Sequence, residues 1–333
     1  MFKYIVKRLL LSILILFGVS IIIYTLVRLM PTNYVQQKML PLLNQGTVKQ
    51  EDIDAMLKIY GLYDNSFTGI INGYFGWLKN ALRGNLGESF VYSRPVASVI
   101  GEYMWISFGI AAVALVFEFL ISIPLGVSSA VKQYSFQDYL VTILAMIGIA
   151  FPSFFFADLL IKVFAVDLGW LPVTGQVDAS VTVDQVGKTA YFFMRLKHLI
   201  LPMVVLVVLS IGGMMRYTRT NTLEVLNADY IRTARAKGLP EKKVIYKHAF
   251  RNTMIPLVTI FAGILPSLFG GAMIVEQVFG IEGIGNIAYK ALNNGDIPFI
   301  MGYNMFLAIL TIIGTLLSDL MYAVVDPRVK IGK

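Results

Sequence analysis

Six apolar segments follow one another along the chain, and each is about as long as a helix that crosses a membrane. They cover residues 9–27, 105–128, 139–163, 199–215, 255–278 and 299–324. Such a helix needs about 20 apolar residues to cross the hydrocarbon core. The pattern therefore predicts an all-α polytopic membrane protein with six transmembrane helices.

Composition agrees with a membrane-embedded chain. Of the 333 residues, 57% are hydrophobic and 14% are charged, whereas soluble domains carry about 25% charged residues. Cysteine is absent, which excludes disulfides and thiolate metal sites. His198 and His248 are too far apart for a zinc motif, so no metal site is expected. The first apolar segment is longer than the core of a signal peptide, and we expect it to be retained.

Basic residues cluster beside the apolar segments, in three regions of the chain. These are the N-terminal residues Lys3, Lys7 and Arg8, the region 216–251, and the tail residues Arg328, Lys330 and Lys333. Lysine and arginine accumulate in the cytoplasmic loops of membrane proteins. Six spans place the three regions on one side, so both termini are predicted to be cytoplasmic. The net charge of +8 thus reflects membrane topology rather than nucleic-acid binding.

The spans divide the chain into three parts. Residues 1–30 are predicted to form an N-terminal transmembrane helix, and residues 31–103 a small extracytoplasmic segment. Within that segment a helix is expected over 51–62, where Ile53, Met56, Leu57 and Tyr60 recur at helical spacing. The alternative is a passive connector. Residues 104–333 form a core with five further transmembrane helices and a cytoplasmic region at about 217–254.

Two short motifs resemble nucleotide sites but lack the required context. VGKT at 186–189 resembles the end of a P-loop, but Thr182 occupies the position of its first glycine. GIGNIA at 283–288 follows a membrane span rather than a strand, so a glycine-rich turn is the simpler interpretation. The sequence contains neither HExxH nor GxSxG. We therefore predict neither an enzyme nor a nucleotide-binding chain.

Four ionisable residues lie within predicted spans, where facing lipid would be costly. They are Glu118, Asp158, Lys162 and Asp319. Either they line a translocation path or relay protons, or they pair with one another within the bundle. Asp158 and Lys162 are four residues apart, so an ion pair on one helix face is available.

The predicted cytoplasmic region contains a short helix with signals at both ends. Asp229 can cap a helix that begins at Tyr230, and Lys237 suits the negative pole at its end. Gly238 stands where a left-handed residue would terminate the helix. The element would project from the bundle as a rigid knob, which suggests a partner with a matching socket. The alternative is a basic loop that only fixes topology.

A second helix follows at once. Pro240 and Glu241 suit its first turn. Basic residues recur on one face, at Lys243, Lys247 and Arg251, while Val244, Ile245, His248 and Ala249 occupy another. This pattern predicts an amphipathic lead-in to the fifth span, with its basic side near lipid phosphates.

Six motifs along nearly the whole chain resemble one family. They are RGNLGESF (83–90), LGWLPVTG (168–175), ADYIRTARAKGL (228–239), HAFRNTMIP (248–256), IVEQVFGIEGIG (274–285) and DPRVK (326–330). Their order and spacing resemble the permease subunits of binding-protein-dependent ABC importers of the dipeptide/oligopeptide type. The resemblance implies that residues 230–237 form the coupling helix, which docks onto a cytoplasmic ATPase, with Gly238 as the motif glycine. The coupling residues it implies are Asp229, Tyr230, Arg232, Thr233, Ala234, Arg235, Lys237, Gly238 and Leu239.

The chain departs from the family pattern at three positions. Arg232 and Thr233 stand where the general motif EAA-x-x-x-G has Glu and its first Ala. A salt bridge that the family glutamate would make is therefore in question. Glu282 stands where proline is expected, in the turn after the fifth span.

The resemblance also implies a set of partners. Two cytoplasmic ATPase subunits would bind ATP and magnesium, so this chain needs no cofactor of its own. A homologous second permease would complete the pore, and an extracytoplasmic binding protein would deliver a short peptide. The expected location is the bacterial cytoplasmic membrane.

Alternatives to the peptide importer remain open from sequence. Related importers carry nickel chelates or other small solutes. An ion-coupled secondary transporter would use Glu118, Asp158 or Asp319, although no inverted repeat is evident. A scaffold or channel subunit would need neither an ATPase nor a binding protein.

Overall fold

The computed structural model is built almost entirely from helices. It describes residues 2–30, 40–59, 63–64, 66–178, 181–258 and 260–325. The helices are α1 (Phe2–Arg28), α2 (Leu40–Asn44), α3 (Gln50–Ile59), α4 (Phe67–Ala81), α5 (Val96–Val131), α6 (Phe136–Ala150), α7 (Ser153–Leu160), α8 (Val183–Leu226), α9 (Asp229–Ala236), α10 (Glu241–Lys243), α11 (Phe250–Val258), α12 (Phe261–Gly270), α13 (Met273–Val278), α14 (Ile284–Asn293) and α15 (Ile297–Val325). Wider π-helical turns extend α7 through Ile161–Asp167 and join α10 to α11 through Val244–Ala249.

Four helices are long and apolar enough to cross a membrane. Their spanning parts are Val6–Arg28, Val96–Val131, Val183–Leu226 and Ile297–Met321. A bent pair, Phe136–Ala150 with Ser153–Asp167, raises the number to as many as five. Five of the six predicted spans therefore coincide with apolar helices, and the chain is a polytopic helical membrane protein.

The third predicted span is bent by 102° between α6 and α7. Pro152 stands at the bend and cannot donate a backbone hydrogen bond to the preceding turn. Phe151, which precedes it, has an extended backbone (φ −76°, ψ 128°), as expected for a residue before proline. The bend therefore follows from the sequence of the segment itself.

The fifth predicted span, 255–278, differs from the expected single helix. The described part of this segment consists of the end of α11, then α12 and α13, and residues 263–278 are too short to be counted as a span. Gly271, between α12 and α13, has φ +72°, a left-handed conformation that ends the helical path. Composition alone could not reveal this break.

The predicted extracytoplasmic segment packs against the first span. The expected helix over 51–62 corresponds to α3, in which Ile53 is buried; Tyr60 lies outside the described residues. Ser66 caps the start of α4, and its hydroxyl accepts from the Gly69 N–H at 3.1 Å. The hydroxyls of Tyr74 and Ser20 hydrogen bond at 2.8 Å. Because α5 already begins at Val96, the last part of the predicted segment is helical.

Glycines allow the long helices α5, α6 and α8 to pack closely. A side chain at Gly126 of α5 would lie 2.7 Å from the carbonyl oxygen of Met215 in α8. At Gly148 of α6 it would lie 2.8 Å from the carbonyl oxygen of Val208. The helix backbones therefore touch at two levels, and this packing positions the end of α8 and the helix that follows.

Candidate functional site

The predicted coupling helix is α9, and it begins one residue earlier than expected. The residue that precedes its first turn is Ala228, which is extended and makes no side-chain cap. The prediction that Asp229 caps the helix is therefore wrong. Asp229 lies inside the first turn, where a negative charge still favours the helix dipole, and its carboxylate is 3.7 Å from the Arg232 guanidinium.

The end of α9 agrees with the sequence. Lys237 follows the last helical residue, and Gly238 has φ +74°, so the predicted left-handed stop is confirmed. The Leu239 N–H donates to the Ala234 carbonyl at 3.4 Å across this turn. Pro240 precedes the first turn of α10 rather than lying within it, and Glu241 begins that turn.

One face of α9 is anchored to the rest of the protein. Ile231 is fully buried and Ala234 nearly so. They pack in a cluster with Val244 and Ala249, against Val225 and Leu226 at the end of α8 and Leu239 in the turn after α9. Ala234 and Leu239 thus hold the helix in place, and their contact with a partner stays a prediction.

An ion pair that the sequence analysis did not identify closes the turn after α9. The Arg235 guanidinium donates to both carboxylate oxygens of Glu241, at 2.7 and 3.2 Å. These hydrogen bonds hold the pKa of Glu241 below its ordinary value and raise the pKa of Arg235. In the sequence these residues are only opposite charges six positions apart, on either side of Gly238 and Pro240.

The opposite face of α9 is open to a partner. Its exposed residues are Asp229, Tyr230, Arg232, Thr233, Arg235, Ala236 and Lys237. Tyr230 is 47% exposed, and its ring provides an apolar surface among cations. The surface therefore combines one aromatic side chain with a positive rim, and Arg232 belongs to that rim.

The second helix is amphipathic, as predicted. Val244, Ile245 and Ala249 are buried, whereas the basic residues Lys243, Lys247 and Arg251 are exposed. His248 is half-buried. The π-helical turn at Val244–Ala249 was not expected, and it shifts the faces of this segment relative to a regular helix.

The four intramembrane ionisable residues do not form one site. Lys162 pairs with Asp167 at 3.1 Å, so the anticipated pairing with Asp158 is wrong. The reason is the π-helical turn, which brings residues five apart together instead of four. Asp319 pairs with Arg8 at 3.2 Å and thereby joins α15 to α1. Asp158 is exposed and Glu118 is half-buried.

Asp138 and Arg219 form a buried ion pair that the sequence analysis missed. The guanidinium of Arg219 donates to both oxygens of the Asp138 carboxylate, at 2.8 and 2.9 Å. Asp138 is 3% exposed. The pair joins the start of α6 to α8 across 81 positions, and no local sequence pattern indicated it.

On the predicted extracytoplasmic side, Glu276 is a second buried carboxylate that the sequence analysis missed. It accepts hydrogen bonds from the Ser107 hydroxyl at 2.7 Å, the Ala272 N–H at 3.0 Å and the Asn286 N–H at 2.9 Å. Gly283 and Gly285 lie directly against it. The carboxylate thus fixes the turn between α13 and α14 to α5.

A cavity of about 800 Å³ lies between α1, α4 and the start of α15. Its lining includes Tyr24, Asn72, Trp77 and Asn80 together with the charged residues Lys58 and Glu88. The cavity therefore offers hydrogen-bonding groups and both signs of charge. Among the described residues, no cluster of three or more acidic or histidine side chains could hold a metal ion.

Known transport proteins are similar to this chain. The chain is 38% identical to the oligopeptide transport system permease protein AppB of Bacillus subtilis, over 99% of this chain and 100% of that protein. It is 32% identical to the dipeptide transport system permease protein DppB of Alkalihalophilus pseudofirmus, with 99% and 100% covered. A solved inward-facing structure of the MetNI methionine ABC transporter matches with a TM-score of 0.53 and 18% identity, covering 69% of this chain and 97% of that one.

The family match covers the greater part of the core. Residues 122–331 match the family described as binding-protein-dependent transport system inner membrane component. This range includes α9, the Asp138–Arg219 pair and Glu276. The chain therefore belongs to the family of inner membrane components of binding-protein-dependent transport systems.

Proposed function

We propose that this chain is the permease subunit of an ATP-driven importer and forms half of a translocation pathway for short peptides. The observation that carries the proposal is α9, a short helix anchored on one face by Ile231 and Ala234 and exposed on the other. Ion pairing of Arg235 with Glu241 fixes the turn that follows. A helix held in this way can transmit a push without bending. The exposed coupling residues, with Tyr230 at the centre, would contact a cytoplasmic ATPase subunit.

The proposal includes six spans with both termini in the cytoplasm. Positive charges near the N-terminus, around α9 to α11 and in the tail support this orientation. In that arrangement the broken segment α11–α13 is the fifth of the six crossings. A second, homologous permease would then complete the pore, and two ATPase subunits would bring ATP and magnesium to the complex.

On the extracytoplasmic side, segment 31–103 and the turn held by Glu276 would meet a substrate-binding protein. The cavity beside α4 lies in the same segment. The substrate class follows from the relatives, whose names refer to oligopeptide and dipeptide transport. Nickel chelates or other small solutes are the alternative cargo within the same mechanism.

An ion-coupled secondary transporter is the second candidate function. Such a transporter would need ionisable residues within the spans to bind the coupling ion. Asp319 has a cationic partner in Arg8, and Lys162 has an anionic partner in Asp167. These pairs supply a structural role for two of the four residues. The importer therefore accounts for more of the described contacts.

Reconstitution tests the proposal. The chain is purified with its co-purifying subunits, inserted into liposomes, and assayed for uptake of a labelled tripeptide. We expect uptake that requires ATP, is stopped by vanadate, and survives a protonophore. Gly238→Pro, which cannot adopt φ +74°, should abolish uptake. Uptake that resists vanadate but stops with a protonophore would establish the secondary transporter instead.

A further inference from the structure

The end of α5 and the start of α6 are joined to α8 by one buried polar cluster. Asp138 Oδ1 accepts from Arg219 Nε at 2.8 Å and from the Ser129 hydroxyl. Asp138 Oδ2 accepts from Arg219 Nη2 at 2.9 Å and from the Tyr134 N–H at 2.9 Å. Each carboxylate oxygen thus accepts two hydrogen bonds, and the donors come from α5, the turn after it and α8.

Close backbone contacts reinforce this cluster. Gly126 of α5 lies against Met215 and Thr218 of α8, one turn from Arg219. Gly212 of α8 lies against the Ala145 carbonyl of α6. Close-packed interiors resist sliding because side chains interdigitate without free volume. Helix α6 is therefore held to α8 at two points, by the ion pair and by the glycine contact.

The same cluster is directly connected to α9. From Arg219 the helix α8 continues without interruption to Leu226, a distance of about 10 Å at the rise of an α-helix. A short turn then leads into α9, whose Ile231 packs in one cluster with Val225 and Leu226. A displacement of α9 consequently acts on the end of α8 that carries Arg219.

We propose that Asp138 and Arg219 are positioning residues that make α9, α8 and the start of α6 move as one body during transport. This inference rests on the proposed function and adds the route by which movement of α9 enters the membrane. The pair stays closed throughout the cycle. Its role is to carry displacement from α8 to α6, which leads into the 102° bend before α7.

The absence of cysteine from the chain allows a direct test by replacing the ion pair with a covalent link. The double variant Asp138→Cys/Arg219→Cys is assembled with cysteine-free partner subunits and reconstituted. Without reagent, uptake per ATP hydrolysed should fall about tenfold, within the usual range of coupling between sites. A short bifunctional thiol reagent that joins the two cysteines should restore most of that ratio, whereas a monofunctional reagent should not.

Three results would overturn the inference. They are unchanged uptake per ATP in the unlinked double variant, no recovery after cross-linking, or a cross-link that blocks uptake while hydrolysis continues. The last would mean that the pair must open. If the double variant does not assemble, Arg219→Lys replaces it, since lysine keeps the charge but not the two-point geometry. Uptake per ATP should then fall at normal membrane abundance, and an unchanged ratio would contradict the inference.

Failure of the proposed function is distinguishable from failure of this inference. The parental complex is measured first for ATP-dependent uptake. If it shows none, the importer proposal is wrong. If it transports and the cysteine variants behave otherwise than stated, only the role of Asp138 and Arg219 is wrong.

Discussion

Arg235 and Glu241 face each other across the turn that ends α9, and two hydrogen bonds of 2.7 and 3.2 Å join the guanidinium to the carboxylate. The turn between them contains Gly238 in a left-handed conformation. The Arg235 guanidinium is therefore engaged with Glu241 of the same chain. Among the coupling residues, this leaves Tyr230, Arg232 and Lys237 as the side chains best placed to contact a partner.

The first prediction concerns this ion pair. Glu241→Gln should loosen the turn but unfold nothing, because an exposed pair contributes only about 0.5 kcal/mol. Amide hydrogen exchange across α9 should accelerate about twofold at neutral pH, with no change in α5 or α15. An acceleration spread over the whole chain would show that the effect is global rather than local.

The pH dependence of the same pair follows from the direction of its pKa shift. Arg235 holds the pKa of Glu241 below the ordinary value of 4.5. Stabilisation by the pair is therefore complete above that value and is lost as the pH falls through the lowered pKa. The difference in α9 exchange between the parental chain and Glu241→Gln should be constant near neutrality and disappear in acid.

The second prediction separates the motif glycine from other helical glycines. Gly238→Ala forces a side chain into φ +74°, at a cost of about 1–2 kcal/mol. Gly101 has equally open space around it and no positive φ, so Gly101→Ala is the matched control. Thermal unfolding in detergent should shift downward for Gly238→Ala alone, and uptake per ATP should fall with it. If the two variants show the same thermal unfolding and the same uptake per ATP, Gly238 has no special role.

The third prediction distinguishes anchoring from contact within α9. Ile231 is fully buried and Tyr230 is 47% exposed. Ile231→Ala should destabilise the helix by about 2–4 kcal/mol, the usual cost of a large truncation in a core. Tyr230→Ala should leave stability unchanged and weaken co-purification of the ATPase subunit. If Tyr230→Ala leaves the complex intact, the partner surface lies elsewhere.

The fourth prediction addresses the secondary-transporter alternative. Asp319 is explained by its ion pair with Arg8, and Glu118 is half-buried in α5, apart from the other three intramembrane residues. Asp319→Asn and Glu118→Gln should therefore each keep ATP-dependent uptake within about threefold, since neutral analogues of the same shape preserve hydrogen bonding. Loss of uptake in either variant, together with parental uptake that stops with a protonophore, would favour an ion-coupled mechanism.

The fifth prediction concerns the extracytoplasmic turn. Glu276 is 3% exposed and accepts from Ser107, Ala272 and Asn286. Glu276→Ala would leave buried donors without partners, each at a cost of about 1–3 kcal/mol. Ser107→Ala removes a single donor and should have a smaller effect. In both variants we expect basal ATP hydrolysis to persist and its stimulation by the binding protein to weaken, more in Glu276→Ala.

Local sequence patterns predicted the elements that depend on local physics. The lengths of the apolar segments identified α1, α5, α8 and α15, because a helix that crosses the lipid needs a continuous apolar stretch. Gly238 was recognisable as a helix stop since glycine adopts the left-handed conformation without strain. The amphipathic faces after Pro240 were also visible, because their spacing alone specifies them.

Features that depend on backbone detail or distant partners were not predictable. Asp229 fails as a cap because the helix begins one residue earlier, at a boundary that sequence does not fix. Lys162 changes partner because a π-helical turn alters the register. Asp138 and Arg219 meet only after α6 and α8 pack together. The sequence around either residue therefore does not indicate its partner.

Cross-linking from the exposed face of α9 tests the central claim most directly. A photoreactive phenylalanine analogue replaces Tyr230 in the assembled complex, and a matched complex carries it at Tyr246, which is 65% exposed beyond the turn. Our account predicts that irradiation joins position 230, and not position 246, to the nucleotide-binding subunit. Cross-linking at position 246 alone, or at neither position in a complex that still transports, would contradict the claim that ATP energy enters through α9.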